Sequence, residues 1–174
     1  EQKGIDLLAP LVPLLPQVPI RLAVLGSGDA VLSAQLRALA GSHPSHFVFV
    51  DGYDEAVSHL MFAGGDLFVM PSRFEPCGLT QMQAMRYGTI PVVTAVGGLV
   101  DTVPDADDHP HGLGFVAAAP TSLDLLAALF RAARVVTRKS KRTALQKRMM
   151  KIDWSWTEPA KRYLDLYREL VNAN

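Results

Sequence analysis

The sequence predicts an α/β domain built on a doubly wound parallel sheet with helices on both faces. Short runs of apolar residues read as strands and are apolar throughout, which marks strands covered on both faces. Each run is followed by a stretch with helical spacing, the alternation expected of parallel strands joined by helices. The strand-to-helix junctions gather glycine, aspartate and serine, the residues that turn a chain and start a helix.

Taken in order, Ile20–Leu25 is the first strand and ends on Gly26-Ser27-Gly28-Asp29, with a helix over Ala30–Ala40. Phe47–Val50 is the second, followed by Asp51-Gly52-Tyr53-Asp54 and a helix through Ala63. Asp66–Met70 is the third. It runs into Pro71-Ser72-Arg73-Phe74-Glu75-Pro76-Cys77-Gly78 and a helix over Leu79–Tyr87. Ile90–Thr94 is the fourth, ended by Gly97-Gly98. In such a Rossmann-like sheet ligands collect beyond the carboxyl ends of the strands, so these four loops are expected to line one edge. After Val116 the pattern is helical only: Thr121-Ser122 cap a helix through Val136, and two more cover Thr143–Ile152 and Thr157–Leu170. We therefore expect one domain over 1–174, an α/β core over 1–116 and C-terminal helices over 117–174. Pro10, Pro13, Pro16 and Pro19 interrupt an apolar stretch. Proline removes a donor and clashes with the preceding turn, so a short helix from Ile5 and then an irregular connector is expected there.

The chain has 174 residues, 49% apolar and 20% charged, with zero formal net charge. That length and balance suit one globular domain with a substantial core and exclude a disordered chain. A neutral chain gives no bulk electrostatic reason to bind nucleic acid or a membrane surface. The basic stretch Arg131–Lys151 spreads over two helices and reads as a solvated face. Cys77 is the one cysteine, so no intrachain disulfide can form. No apolar run is long enough to cross a bilayer, and no signal peptide is evident. The chain opens on Glu1-Gln2-Lys3-Gly4 without methionine, as a piece of a longer protein would.

The stretch Pro71–Thr80 carries the candidate chemistry. Gly78, Leu79 and Thr80 offer backbone N–H groups at a helix start, where the helix dipole also favours a phosphate or diphosphate. Thr80 adds a hydroxyl, and the Glu75 carboxylate can accept hydrogen bonds from sugar hydroxyls. By spacing alone, Glu75 is more often a glutamate merely stabilised at a helix start. Gly26-Ser27-Gly28 lacks the third glycine of a dinucleotide fingerprint and is explained by a tight turn. His43, His46, His59, His109 and His111 have no metal-ligand spacing, so no metal is expected.

The run from Ser72 to Val103, SRFEPCGLTQMQAMRYGTIPVVTAVGGLVDTV, closely resembles the donor-site signature of bacterial glycogen synthases and plant starch synthases. Gln2-Lys3-Gly4-Ile5-Asp6, Gly52-Tyr53 with Ser58-His59, and Asp153-Trp154-Ser155-Trp156 match in the same order. The resemblance implies the C-terminal, nucleotide-sugar-binding half of a GT-B glycosyltransferase. Such an enzyme transfers glucose from ADP-glucose, with retention, to the non-reducing end of an α-1,4-glucan. It implies Lys3 on the donor diphosphate, Glu75 on the transferred glucose, and Tyr53 stacked on the base with Gly52 beside it. Gln2, Cys77, Gly78, Leu79 and Thr80 complete the donor contacts. Where related transferases carry a second glutamate, this chain has Gln83, which leaves that ribose contact without its charge. Cys77 has no base paired with it in sequence and reads as a small packed residue, not a nucleophile. No cofactor is implied. The resemblance places the acceptor glucan on an N-terminal domain lying upstream with the arginine that partners Lys3, so the chain alone should not turn over. It implies a bacterial cytoplasm or a plastid stroma. A stand-alone ADP or ADP-glucose sensor, or a transferase using another sugar nucleotide, remains open from the residues themselves.

Overall fold

Local sequence signals set the helices of the computed structural model, which describes residues 1–172. Asp29, Asp54 and Thr121 each accept a hydrogen bond from a backbone N–H three residues on, the N-cap geometry that satisfies a helix's first free donors. They open α1 (Ala30–Ser42), α2 (Glu55–Gly64) and α5 (Ser122–Val136). The strands are β1 (Leu22–Gly26), β2 (Phe47–Asp51), β3 (Leu67–Met70), β4 (Ile90–Thr94) and β5 (Phe115–Ala117). Between them lie α3 (Thr80–Tyr87) and the short α4 (Gly98–Thr102), and α6 (Lys139–Met150) and α7 (Thr157–Asn172) follow. Neither β5 nor α4 is visible as a period in the sequence, because three and five residues are too few to show one. β5 also carries the sheet one residue past the expected core boundary at 116.

All pairings are parallel, as expected, but the sheet is not continuous. β1 pairs with β2, from Leu22 opposite Phe47 to Gly26 opposite Asp51. β3, β4 and β5 form a second ladder, with Val69 opposite Val92 and Val92 opposite Phe115. Among the described residues no ladder joins β1 to β3. Their flanks instead line a cavity of about 680 Å³ that reaches Leu129, Ala133 and Val136 of α5. β1 and β2, expected to be covered on both faces, keep exposed positions at Ala23, Val48, Val50 and Asp51, so an apolar run fixes neither a strand's burial nor its neighbour.

β4 is buried at every position and forms the centre of the main core, with Met85, Leu99, Phe115, Leu125 and Met149 packed around it. Each such side chain contributes roughly 1.5–3 kcal/mol by leaving water. Ala9, Val12, Leu15, Leu36 and Phe47 make a smaller second cluster.

The proline stretch is helical and corrects the expected connector. Ile5–Leu7 and Ala9–Gln17 are 3₁₀ helices, and Pro10, Pro13 and Pro16 are exposed while Leu11, Val12 and Leu15 are buried. A 3₁₀ helix turns once every three residues, so prolines at that spacing stack into one solvent-facing ridge.

No residue of α7 is buried. Tyr163, Leu166 and Tyr167 lie exposed on its apolar side, and Trp156, just before it, is exposed as well. Trp154, by contrast, packs partly against the main core.

Candidate functional site

The loop from β3 to α3 is where sequence-distant residues converge. Glu75 is only 5% exposed. Its Oε2 accepts hydrogen bonds from Lys3 Nζ at 2.5 Å and Ser72 Oγ at 3.2 Å. A buried carboxylate needs such partners to offset the cost of leaving water. Oε1 has no protein partner among the described residues. Lys3 keeps about half of its side chain in solvent, so the ammonium can still reach an anion.

Lys3 is brought there by docking of the N-terminal segment along the loop. Arg73 N–H donates to Gln2 O at 2.9 Å, and Gln2 Nε2 donates to Phe74 O at 3.2 Å. Arg73 grips Asp6 with both terminal nitrogens, at 2.7 and 2.6 Å. That fork lowers the Asp6 carboxyl below its ordinary value, chiefly through the hydrogen bond from Arg73. Gly4 has a φ of +62°, and a Cβ there would sit 1.9 Å from Pro71 O, so only glycine lets the two segments touch.

On the loop's other side, Gly98 N–H donates to Glu75 O at 2.9 Å. A Cβ on Gly97 would lie 2.0 Å from that carbonyl, and one on Gly98 2.5 Å from Cys77 O. The segment after α4 is fixed by Asp105, which accepts from Arg131 at 2.9 Å and from the Val116 and Asp107 N–H groups. Burial pushes the Asp105 carboxyl up, but these hydrogen bonds outweigh it, and its pKa is lowered overall.

At the end of the loop Gly78 turns with a φ of +73° into the first turn of α3. Among the described residues the N–H groups of Gly78, Leu79 and Thr80 have no acceptor. Free donors at a helix start, with the helix dipole behind them, are chemically suited to an anion. The Thr80 hydroxyl has only a long contact, 3.6 Å to Met70 Sδ. Cys77 is exposed rather than packed, with Sγ 3.7 Å from Gly78 O. No group of three or more metal-ligating side chains occurs among the described residues.

Gly52 and Tyr53 leave β2 at its carboxyl end, as Pro71 leaves β3. Gly52 has a φ of +146° and donates to Gly26 O at 3.1 Å. Tyr53 is 84% exposed and makes no hydrogen bond or ring contact with Lys3 or Glu75. The structure thus sets Gln2 and Lys3 in contact with the loop that carries Glu75, Cys77, Gly78, Leu79 and Thr80, and gives Gly52 and Tyr53 no hydrogen bond or ring contact with it. Sequence reading missed Asp6, Ser72 and Arg73, which support Lys3 and Glu75. Arginine and aspartate 67 positions apart carry no local signal. His59 bonds the Tyr87 hydroxyl at 3.0 Å and packs on Phe62, a structural role.

Known proteins resemble this chain over most of its length. Residues 1–148 match the family model described as glycosyl transferases group 1. Glycogen synthase of Rhodopseudomonas palustris (strain BisA53) is 48% identical over 99% of the chain, and that of Halorhodospira halophila (strain DSM 244 / SL1) 49% over 98%. The chain spans 36% of the length of each. Among solved structures, the catalytic domain of starch synthase IV from Arabidopsis thaliana, bound to ADP and acarbose, superposes with a TM-score of 0.89 at 35% identity. That match covers 98% of this chain and 36% of the other. Sucrose-phosphate synthase from Thermosynechococcus elongatus gives 0.69 at 25% identity, covering 99% and 43%. No helix among the described residues is long and apolar enough to cross a membrane.

Proposed function

The chain belongs to the glycosyl transferases group 1 family, and from that premise we propose that it is the nucleotide-sugar-binding part of a retaining glucosyltransferase. The donor is ADP-glucose and the acceptor the non-reducing end of an α-1,4-glucan. The observation that carries this reading is the Lys3–Glu75 ion pair set beside the unpaired amides that open α3.

In the transfer, the bond between glucose C1 and the diphosphate oxygen breaks and ADP departs with the electron pair. An acceptor hydroxyl bonds to C1 and passes its proton to the departing diphosphate oxygen. Negative charge grows on the diphosphate, where the Lys3 ammonium and the amides of Gly78–Thr80 stabilise it more in the transition state than before it. Glu75, with Oε1 free, accepts from glucose hydroxyls and fixes the sugar's orientation. Tyr53 supplies a face for the base, with Gly52 beside it. Gln2, Cys77, Gly78, Leu79 and Thr80 line the donor.

ADP is favoured over UDP because the matching starch synthase IV structure holds ADP, and the relatives just described are named glycogen synthases. On this reading residues 1–174 act as one donor-binding domain, and the glucan is held by parts of the enzyme outside this segment. The protein works in a bacterial cytoplasm or a plastid stroma, without metal or cofactor and without nucleic acid or membrane as partner. The 174-residue chain by itself should bind the nucleotide and show no transfer.

Calorimetric titration with ADP and then UDP, repeated on Tyr53→Ala, tests the proposal. We expect saturable binding of ADP in preference to UDP, and a loss of about tenfold in Tyr53→Ala, the scale of one lost base stack. UDP binding as tight as ADP would overturn the donor assignment. A folded chain that binds neither would overturn the donor-domain reading.

A further inference from the structure

We propose that Gln81 is the positioning residue of the α3 anion site, a buried amide that turns the backbone N–H groups of Gly78 and Leu79 outward. This rests on the reading of that site as the seat of the donor diphosphate.

Gln81 is completely buried although it lies in the first turn of a helix whose neighbours Leu79 and Thr80 are exposed. Its Nε2 donates to Cys77 O at 3.2 Å, to Gly78 O at 2.8 Å and to Thr102 Oγ1 at 3.0 Å. The amide's two N–H bonds therefore serve three acceptors, and its orientation is fixed, because reversal would set Oε1 against two carbonyl oxygens.

The consequence follows from peptide geometry. In a trans peptide the C=O and the N–H of the next residue point in opposite directions, and no peptide bond among the described residues is cis. Drawing the Cys77 carbonyl inward turns the Gly78 N–H outward, and drawing in the Gly78 carbonyl does the same for Leu79. These are two of the amides left without an acceptor in the protein. One side chain thereby aims two consecutive donors at a single place.

Two further features tie Gln81 to the site. A Cβ on Gly78 would fall 2.4 Å from Gln81 Oε1, so the loop's left-handed turn and the amide beneath it determine each other. Thr102, which accepts from Gln81, donates to Gly98 O at 2.7 Å, and Gly98 N–H holds Glu75 O. The amide is thus linked through Thr102 and Gly98 to the backbone of the residue assigned to the sugar. Gln81 Oε1 is itself buried without a partner. A side chain present only to fill space would not need that unpaired acceptor, whereas one required for its N–H groups must carry it.

The test is titration of the 174-residue chain with ADP, adenosine and inorganic diphosphate, comparing wild type with Gln81→Met, which keeps the reach and loses the donors. Gln81→Met should weaken ADP and diphosphate on the order of tenfold and leave adenosine unchanged, with a native far-UV spectrum retained. Equal affinity for ADP in a folded Gln81→Met would overturn the proposal, as would a parallel loss for ADP and adenosine, the mark of a merely structural residue. If Gln81→Met does not fold, Thr102→Val and Thr102→Ser carry the test. Valine should weaken ADP and serine restore it, and equal behaviour of the two would overturn the assignment. A wild-type chain that binds neither ADP nor diphosphate removes the diphosphate reading itself, and Gln81 with it, before any variant is compared.

Discussion

Two loops leave their strands at the carboxyl end and contribute to the proposed donor site, yet they are built on different terms. Pro71–Leu79, after β3, is held by the docked N-terminal segment, by the glycines that open α4, and by Gln81 from below. Gly52–Asp54, after β2, is held by one hydrogen bond to Gly26 O and by the Asp54 cap of α2, and Tyr53 stands in solvent. The difference matches the tasks. Stabilising charge that develops during bond breaking requires donors fixed beforehand, since any that must reorganise give back part of the gain. Stacking on a base tolerates looseness, because the contact is a broad face.

The sharpest way to break the contrast is to place one methyl group in each loop's support. Gly97→Ala must place a side chain at a φ of +48° and 2.0 Å from Glu75 O. Backbone strain alone costs roughly 1–3 kcal/mol, and the clash adds to it. Thermal melting should fall by roughly 5–10 °C for a chain of this size, with ADP affinity lost in parallel. Gly52→Ala meets strain at +146° but nothing within 4 Å, so its melting loss should be clearly smaller. An equal loss in the two would mean that the β3 loop is no more tightly packed than the β2 loop.

Asp105→Asn weakens the anchor behind the β3 loop and should cost about 1–3 kcal/mol, because Arg131 loses its partly buried anionic partner. Since the folded Asp105 has a lowered pKa, its contribution is complete above the ordinary carboxylate value of 3.8 and fades as pH falls through the folded value. The melting difference between wild type and Asp105→Asn should therefore be flat near neutrality and close below that point. A difference that grew on acidification would reverse the sign.

Asp6→Asn acts on the N-terminal clamp with the same sign, but the pair with Arg73 is substantially exposed and should be worth only about 0.5–1 kcal/mol. Lys3 should be released with it, read as a modest loss of ADP affinity at constant adenosine affinity. The smallest effect belongs to the β1–β2 side. Arg37→Ala, which removes the exposed contact of Arg37 with Asp51, should change melting by under about 0.5 kcal/mol.

Much of this was legible in the sequence. The four strands, the α3 start after Gly78 and the cap at Thr121 follow from apolar runs and capping residues. The α3 amides follow from the strand-to-helix spacing and Lys3 from the resemblance, and Lys3 and Glu75, 72 positions apart, do meet in space. Tyr53 is legible only through the resemblance, because an exposed tyrosine in a strand-to-helix loop carries no local signal of its own. Gln81 was invisible because glutamine at a helix start is ordinarily solvated, and only the packing of α4 against the loop closes over it.

By itself, the sequence determined the period of each element, the class of fold and which residues could carry charge and donors to a strand end. Those properties depend on neighbours a few positions away, within reach of one helical turn or one pleat. The tertiary structure decided that prolines three apart wind a 3₁₀ helix, that the parallel strands divide into two ladders, and that Trp154 folds back while α7 stays uncovered. It also decided that Arg73 finds Asp6 and that Gln81 is sealed beneath Gly78. These outcomes turn on volumes and distances between segments far apart in the chain, and no local pattern encodes which surfaces will meet.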